Sequence, residues 1–302
     1  LITLIFGAGA SYGSGRCIPD NPPLGMTLYD ELTSLNGAFS RLNGEIKEVF
    51  EEQGFEHGMA KIPNHSEVIN QLQKELACYL SSFSITNENA YVRLFNRLKW
   101  QLDHINIVTL NYDILIEQAL NIKGFNVDYN GSNNGVNVLK PHGSSNFLPH
   151  LPNDFNINGF TAIDCNVFVE GLPTRAVFSH ADIKSWCNDP KNKDLSPSLS
   201  LYNKDKRVVI NSDLIKHIQD RYVKIISDSD LIVLVGIKYI PHDEHIWHPL
   251  ESIDSPIVVV DPYPSDISNW ATRCKKDNVK IIEKGFDDSV WELTKLIRNH
   301  TQ

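Results

Sequence analysis

The sequence predicts an α/β fold: a Rossmann-like doubly wound parallel sheet with an inserted helical module and an irregular insertion. Three observations carry the prediction. Apolar runs at Leu1–Phe6, Ile105–Leu110, Val136–Leu139, Asp230–Val235, Pro256–Val260 and Val279–Ile282 are those of strands buried on both faces. Segments of helical periodicity alternate with them. Each run closes on Gly, Asp, Asn or His, and in such sheets ligands sit beyond the carboxyl ends of the strands.

Taken in order, Leu1–Phe6 runs directly into Gly7-Ala8-Gly9-Ala10-Ser11, and Pro19, Pro22, Pro23 and Gly25 then mark a loop. A helix is expected near Met26, with Leu28, Leu32 and Leu35 on one face. The stretch from Leu42 to Trp100 reads as helical. Val68, Ile69, Leu72, Leu76, Tyr79, Leu80 and Phe83 recur at helical spacing after Ser66, a candidate N-cap, and a second helix carries Tyr91, Leu94, Phe95 and Leu98. Ile105–Leu110 is followed by Asn111-Tyr112-Asp113 and a short helix through Ile114, Leu115, Ala119 and Leu120. Val136–Leu139 ends in Lys140-Pro141-His142-Gly143-Ser144. From Pro149 to Asn211 the chain is rich in Asn, Asp, Pro and Ser, with brief strand-like pieces at Thr161–Val169 and Ala176–Phe178. A helix at Asp213–Ile226 and one from Asp287 to Ile297 flank the last three strands. The expected organisation is a single domain with its core at about 1–25, 101–149 and 212–302, a helical module at about 26–100 and an irregular insertion at about 150–211.

Composition narrows the function. With 41% hydrophobic and 22% charged residues over 302 positions, the chain can bury a large core. Its 28 basic and 37 acidic residues give a net charge of −9, which does not recommend nucleic acid as the principal ligand. There is no long apolar run for a membrane span and no signal-peptide pattern, so a cytoplasmic protein is expected. The sequence starts at Leu1, without Met and inside a strand pattern, which suggests that residues precede it. Five cysteines (Cys17, Cys78, Cys165, Cys187 and Cys274) stand singly, without the C-x-x-C spacing of a zinc ribbon or redox dithiol, and read as reduced thiols.

Three strand ends carry residues suited to chemistry. Glycines after the first strand let a backbone approach a pyrophosphate, and a following helix offers N–H groups to its charge; the plainer alternative is a tight strand-to-helix turn, and the third glycine of G-x-G-x-x-G is replaced by Tyr12. Thr109-Leu110-Asn111-Tyr112-Asp113 can bond ribose hydroxyls or hold a water, or form an Asx turn capping the next helix. His142, fixed between Pro141 and Gly143, can serve as base toward a ribose hydroxyl with a pKa near working pH, or be a loop histidine bonded to backbone. His242, His245 and His248, with Asp243 and Glu244 between, lack the H-E-x-x-H order of a zinc protease and read as a polar loop or helix start. Trp247 and Trp270 read as packing residues.

In order and type, Gly-Ala-Gly-Ala-Ser, Thr-x-Asn-x-Asp and Pro-His-Gly resemble the GAGxS, TQNID and HG segments with which the sirtuin superfamily encloses NAD. Ile18-Pro19-Asp20 is similar to its GIPDFR segment; Val235-Gly236-Ile237 and Val258–Pro262 stand where sirtuin-like proteins put their adenosine-side loops. The resemblance implies an NAD site of Gly7, Ala8, Gly9, Ala10, Ser11, Thr109, Asn111, Gly236, Ile237, Asp261 and Phe286, with Asn111, His142 and Asp113 acting on the ribose. The sequence departs from the deacylases of that superfamily: it lacks their four zinc cysteines, Leu110 replaces the Gln of TQN, and Asn21-Pro22 replaces Phe-Arg. With its helical module, Pro22-Pro23-Leu24-Gly25 and Asp243-Glu244-His245-Ile246, it is more similar to the sirtuin-like NAD-hydrolysing effectors of bacterial anti-phage defence, of the Thoeris type or paired with a HerA-type ATPase or an Argonaute. That likeness implies NAD as substrate, no metal, self-association and a defence partner. A deacylase and a non-catalytic NAD or ADP-ribose sensor are the alternatives.

Overall fold

The computed structural model describes residues 1–63, 65–150, 172–200 and 212–301. Strand β1 (Ile2–Phe6) runs into the one-turn helix α1 (Ala8–Tyr12), and β2 (Cys17–Ile18) follows. The helical module comprises α2 (Gly25–Ser34), α3 (Gly44–Gln53), α4 (Phe55–Lys61) and α5 (Ser66–Ser81). After β3 (Ser84–Ile85) come α6 (Ala90–Arg97), β4 (Ile105–Thr109), α7 (Leu115–Ile122), β5 (Val127–Asp128) and β6 (Val136–Leu139). Then follow β7 (Phe147–Pro149), β8 (Thr174–Ala176), α8 (His180–Asn188) and α9 (Ser212–Ser227). The chain closes with β9 (Leu231–Val235), α10 (Glu244–Glu251), β10 (Ile257–Val260), α11 (Ser265–Arg273), β11 (Val279–Ile282) and α12 (Phe286–His300).

Seven strands form one parallel sheet in the order β11-β10-β9-β1-β4-β6-β5. The first half of the chain builds outward from β1 on one side and the second half on the other, so the order reverses between β1 and β9. That switch point opens a crevice beyond the strand ends, because the loops leaving the two strands diverge to opposite faces. The apolar runs are continuous because both faces are covered. In β1, Leu4 and Phe6 enter one core and Ile5 the other; in β9, Val233 and Val235 part from Ile232 and Leu234 in the same way. The first core lies under the helical module with α6, α7 and α12. The second lies under α9, α10 and α11, where the buried Trp247 and Trp270 meet edge to face at 5.1 Å.

The helical module packs on its own aromatic residues: Tyr29 stacks on Phe50 at 4.3 Å, and Phe39 and Phe55 abut the same ring. Two local readings are corrected there. Ser66 is the first residue of α5 rather than its cap, which is His65. Val68 faces solvent, since the buried stripe runs through Ile69, Leu72, Leu76 and Leu80.

In the region read as an irregular insertion, the described residues include α8. Ser179 caps it by accepting from the Asp182 amide, and Ile183 and Cys187 are buried four residues apart. The strand expected at Ala176–Phe178 falls two residues earlier, as β8, which pairs antiparallel with β7 and shares only Ala176 with the expected piece; the piece at Thr161–Val169 lies outside the described residues. Among the described residues Cys17, Cys78, Cys187 and Cys274 are free thiols, and no helix is long and apolar enough to cross a membrane.

Candidate functional site

At the switch point the turn after β1 interlocks with the turn after β9. Gly9 donates its amide to the Gly236 carbonyl at 2.9 Å, and Gly7 donates to that of Val235 at 3.0 Å. A Cβ on Gly236 would stand 2.1 Å from the Ala10 amide nitrogen, and Gly236 has φ +59°. Only glycine meets both demands, of contact and of left-handed backbone. The glycines thus bring two strand ends together, and Ala8 and Ser11 form the wall that faces outward from this junction.

That wall belongs to a cavity of about 550 Å³. Ala8, Ser11, Leu110, Asn111, Tyr112, Asp113 and His142 line it from the sheet. Pro22, Pro23, Gly25, Leu28, Phe55, Glu56, Met59 and Leu80 close it from the helical module and its entry loop. Ser200, Gln219 and the run His242–His245 complete it. The volume and mixed lining suit a ligand of nucleotide size.

Asn111 is held rather than loose. Its amide nitrogen donates to the Gly7 carbonyl and to Ser11 Oγ, both at 2.9 Å, and its backbone N–H donates to Thr109 Oγ1 at 3.1 Å. With the nitrogen committed, the side-chain oxygen is the acceptor left for the cavity. Ser11 Oγ in turn donates to Asp113 Oδ2 at 2.8 Å, while Asp113 Oδ1 accepts from the Leu115 amide at 3.1 Å and so caps α7. Both proposed uses of this strand end, Asx cap and site lining, therefore coexist.

Burial raises the pKa of Asp113, opposed by the Lys140 charge, the Leu115 amide and Ser11. Lys140 is fully buried beneath it, donating to the Asp113 backbone carbonyl at 2.6 Å and to Glu117 Oε1 at 2.9 Å; the Tyr129 hydroxyl also donates to Glu117 Oε1.

His142 leaves β6 between Pro141 and Gly143. Its carbonyl accepts from the Ser200 amide at 2.8 Å, and Gly143 has φ +80°. Burial lowers the His142 pKa to about 4, against a hydrogen bond to the Leu110 carbonyl that raises it. The expectation of a pKa near working pH is thus corrected: the imidazole is neutral at pH 7, because too little water reaches it to solvate the cation. Its Nε2 has no hydrogen-bond partner and lies 3.5 Å from Asp243 Oδ2.

Of the expected site residues, Ala8, Ser11, Asn111, Asp113 and His142 line the one cavity. Gly7, Gly9, Ala10, Thr109 and Gly236 stand behind the wall as its support. Ile237 is buried in the second core. Phe286 is buried between Phe6 and Tyr91, with centroids at 5.6 and 4.9 Å. Asp261 accepts from the Tyr263 amide at the end of β10, outside the cavity lining. Residue-by-residue reading missed the module's contribution, Phe55, Glu56, Met59 and Leu80, whose apolar members carry the same pattern as core residues. It also set aside Asp243 and His245, which stand beside His142 (the two rings are 5.2 Å apart), while His248 is exposed one turn further along α10.

No protein-family model matches the sequence, and no curated protein matches it. Solved structures do share the architecture. A point mutant of a Sir2 homologue in complex with ADP-ribose superposes with a TM-score of 0.53 at 16% identity, over 99% of this chain and 92% of that one. A Sir2 homologue in complex with NAD gives a TM-score of 0.52 at 16% identity, over 100% of this chain and 90% of that one. The chain has the fold of Sir2 homologues.

Proposed function

We propose that the cavity binds NAD and that the protein hydrolyses its nicotinamide–ribose bond. The observation that supports this most directly is the convergence of Ala8, Ser11, Asn111 and His142 on one nucleotide-sized cavity at the switch point of a fold whose solved examples hold NAD or ADP-ribose. In this reading the pyrophosphate lies along Ala8 and Ser11, and the ribose lies between Asn111 and His142. The bond between C1′ and the pyridinium nitrogen breaks with its electron pair going to nitrogen. Nicotinamide leaves neutral and needs no general acid, while positive charge builds on the ribose. Water then attacks C1′ and gives ADP-ribose and a proton. The Asn111 side-chain oxygen orients that water, or a ribose hydroxyl. Neutral His142 accepts a hydrogen bond from a ribose hydroxyl through Nε2. Asp113 acts through Ser11, as a positioning group.

Hydrolysis is favoured over deacylation because the four zinc cysteines of the deacylases are absent from the sequence, and because Phe55, Met59 and Leu80 of the helical module wall the cavity. The resemblance to defence effectors extends the proposal to a cytoplasmic NAD-depleting role in anti-phage defence, in a self-associated assembly and with a partner such as a HerA-type ATPase.

The test is to incubate the protein with NAD, with and without its neighbouring gene product, and to measure nicotinamide and ADP-ribose. Turnover without acylated peptide is expected, with losses of about 10²–10⁴-fold in His142→Ala and of similar order in Asn111→Ala. Turnover only with an acyl-lysine peptide identifies a deacylase; calorimetric binding without product, even with the partner, identifies a sensor.

A further inference from the structure

We propose that His142, Asp243 and His245 form a three-ligand site for a divalent transition cation of the zinc class, with its fourth coordination position open to the cavity. One potential ligand atom from each residue lies within 4.8 Å of the other two. His142 Nε2 and Asp243 Oδ2 are already 3.5 Å apart, close to the spacing of about 3.4 Å that a tetrahedral ion with bonds of about 2.0–2.1 Å requires.

The chemistry of each ligand fits. His142 and His245 each have a side-chain Nε2 that is buried and without a hydrogen-bond partner. The other ring nitrogen of His142 faces the Leu110 carbonyl, the outer hydrogen bond that typically fixes the tautomer of a metal-ligating histidine. Asp243 is 6% exposed. The carboxylates of Asp243 and Glu56 line the same cavity, and a dication there offsets their like charges.

The supports are rigid. Asp243 caps α10 and its carbonyl accepts from the Ile246 and Trp247 amides; those two side chains are buried in the second core. Two imidazoles, one carboxylate and an open position facing a cavity are the arrangement of catalytic rather than structural zinc sites. The metal-free site implied by the family resemblance does not anticipate this, because Asp243 and His245 are about a hundred residues from His142 in sequence.

The proposal goes beyond the NAD reading and competes with it at one atom, since an ion on His142 Nε2 excludes a ribose hydroxyl from that nitrogen; it is tested without turnover. Protein stripped with a chelator is titrated with Zn²⁺ by calorimetry and with Co²⁺ by visible absorption. One ion per chain is expected, with the intense bands of four-coordinate cobalt. His245→Ala and Asp243→Ala should each weaken binding by at least about tenfold, and His248→Ala should leave it unchanged, with circular dichroism confirming the fold. In wild-type protein, Zn²⁺ should also protect His142 and His245 together from carbethoxylation, read by peptide mass spectrometry. Binding that is absent in the wild type or equal in all three variants overturns the site, as does labelling of His142 and His245 that Zn²⁺ does not slow.

Discussion

His142 shows how burial rewrites the chemistry of a single residue. An ordinary histidine titrates near pH 6.5, but this one is held neutral down to about 4. Two outcomes follow with definite signs. If NAD cleavage depends on neutral His142, the rate has no histidine limb between about pH 8 and 6, and an inflection near 6.5 in the pH–rate profile counts against that role. His245 is lowered to the same level. In both, the unfolded chain binds protons more tightly than the folded one. Stability is therefore unaffected above about pH 6.5 and is lost as pH falls toward about 4, which acid-dependent thermal melts can check.

Beneath the site, Lys140 and Glu117 form an ion pair at 2.9 Å with side chains 0% and 1% exposed. Lys140→Met removes one charge and leaves the other buried. A loss of about 3–5 kcal/mol is expected in urea unfolding, far beyond the ordinary effect of an exposed pair.

At the scale of elements, the decisive feature is the interlock of the turns after β1 and β9. Gly236→Ala demands a left-handed alanine, at about 1–2 kcal/mol, and drives its Cβ into the Ala10 amide. Its unfolding free energy should fall by more than about 2 kcal/mol. Gly44→Ala is the contrast: a Cβ at the first turn of α3 meets nothing within 4 Å, so a neutral or slightly stabilising effect is expected. Equal losses in the two variants would show that the interlock does not carry the difference. The same comparison separates the two meanings of a glycine after a strand: phosphate approach, and approach of one turn to another.

For the whole molecule, the sheet and the helical module act together, since the cavity has walls from both. A ligand bound there should stabilise the entire folded chain. At a hundredfold excess over Kd, NAD is expected to contribute about 2.7 kcal/mol. For a 302-residue chain this corresponds to a rise in Tm of about 4 °C. A scanning-calorimetry Tm that saturating NAD leaves unmoved would argue against NAD as the ligand.

The sequence by itself determined the main strands and their parallel sense, because a strand buried on both faces has to be apolar throughout and a crossover helix has to leave a periodic stripe. It also marked Ser11, Asn111, Asp113 and His142, since strand ends in such a sheet are where ligands bind. Shorter pieces escaped it: β5 and β2 have two residues each, too few for a period to register. Local spacing suggested His242, His245 and His248 as one histidine group. Tertiary structure decided instead that the start of α10 meets the loop after β6, bringing Asp243 and His245 to His142 and leaving His248 in solvent. It likewise brought Phe55 and Met59 of the helical module to the cavity wall, and turned Gly236 from a ligand-facing glycine into part of an interlock. The physical reason is common to these cases. Periodicity reports which face of an element is buried, whereas the identity of what covers that face depends on contacts between residues far apart in the chain.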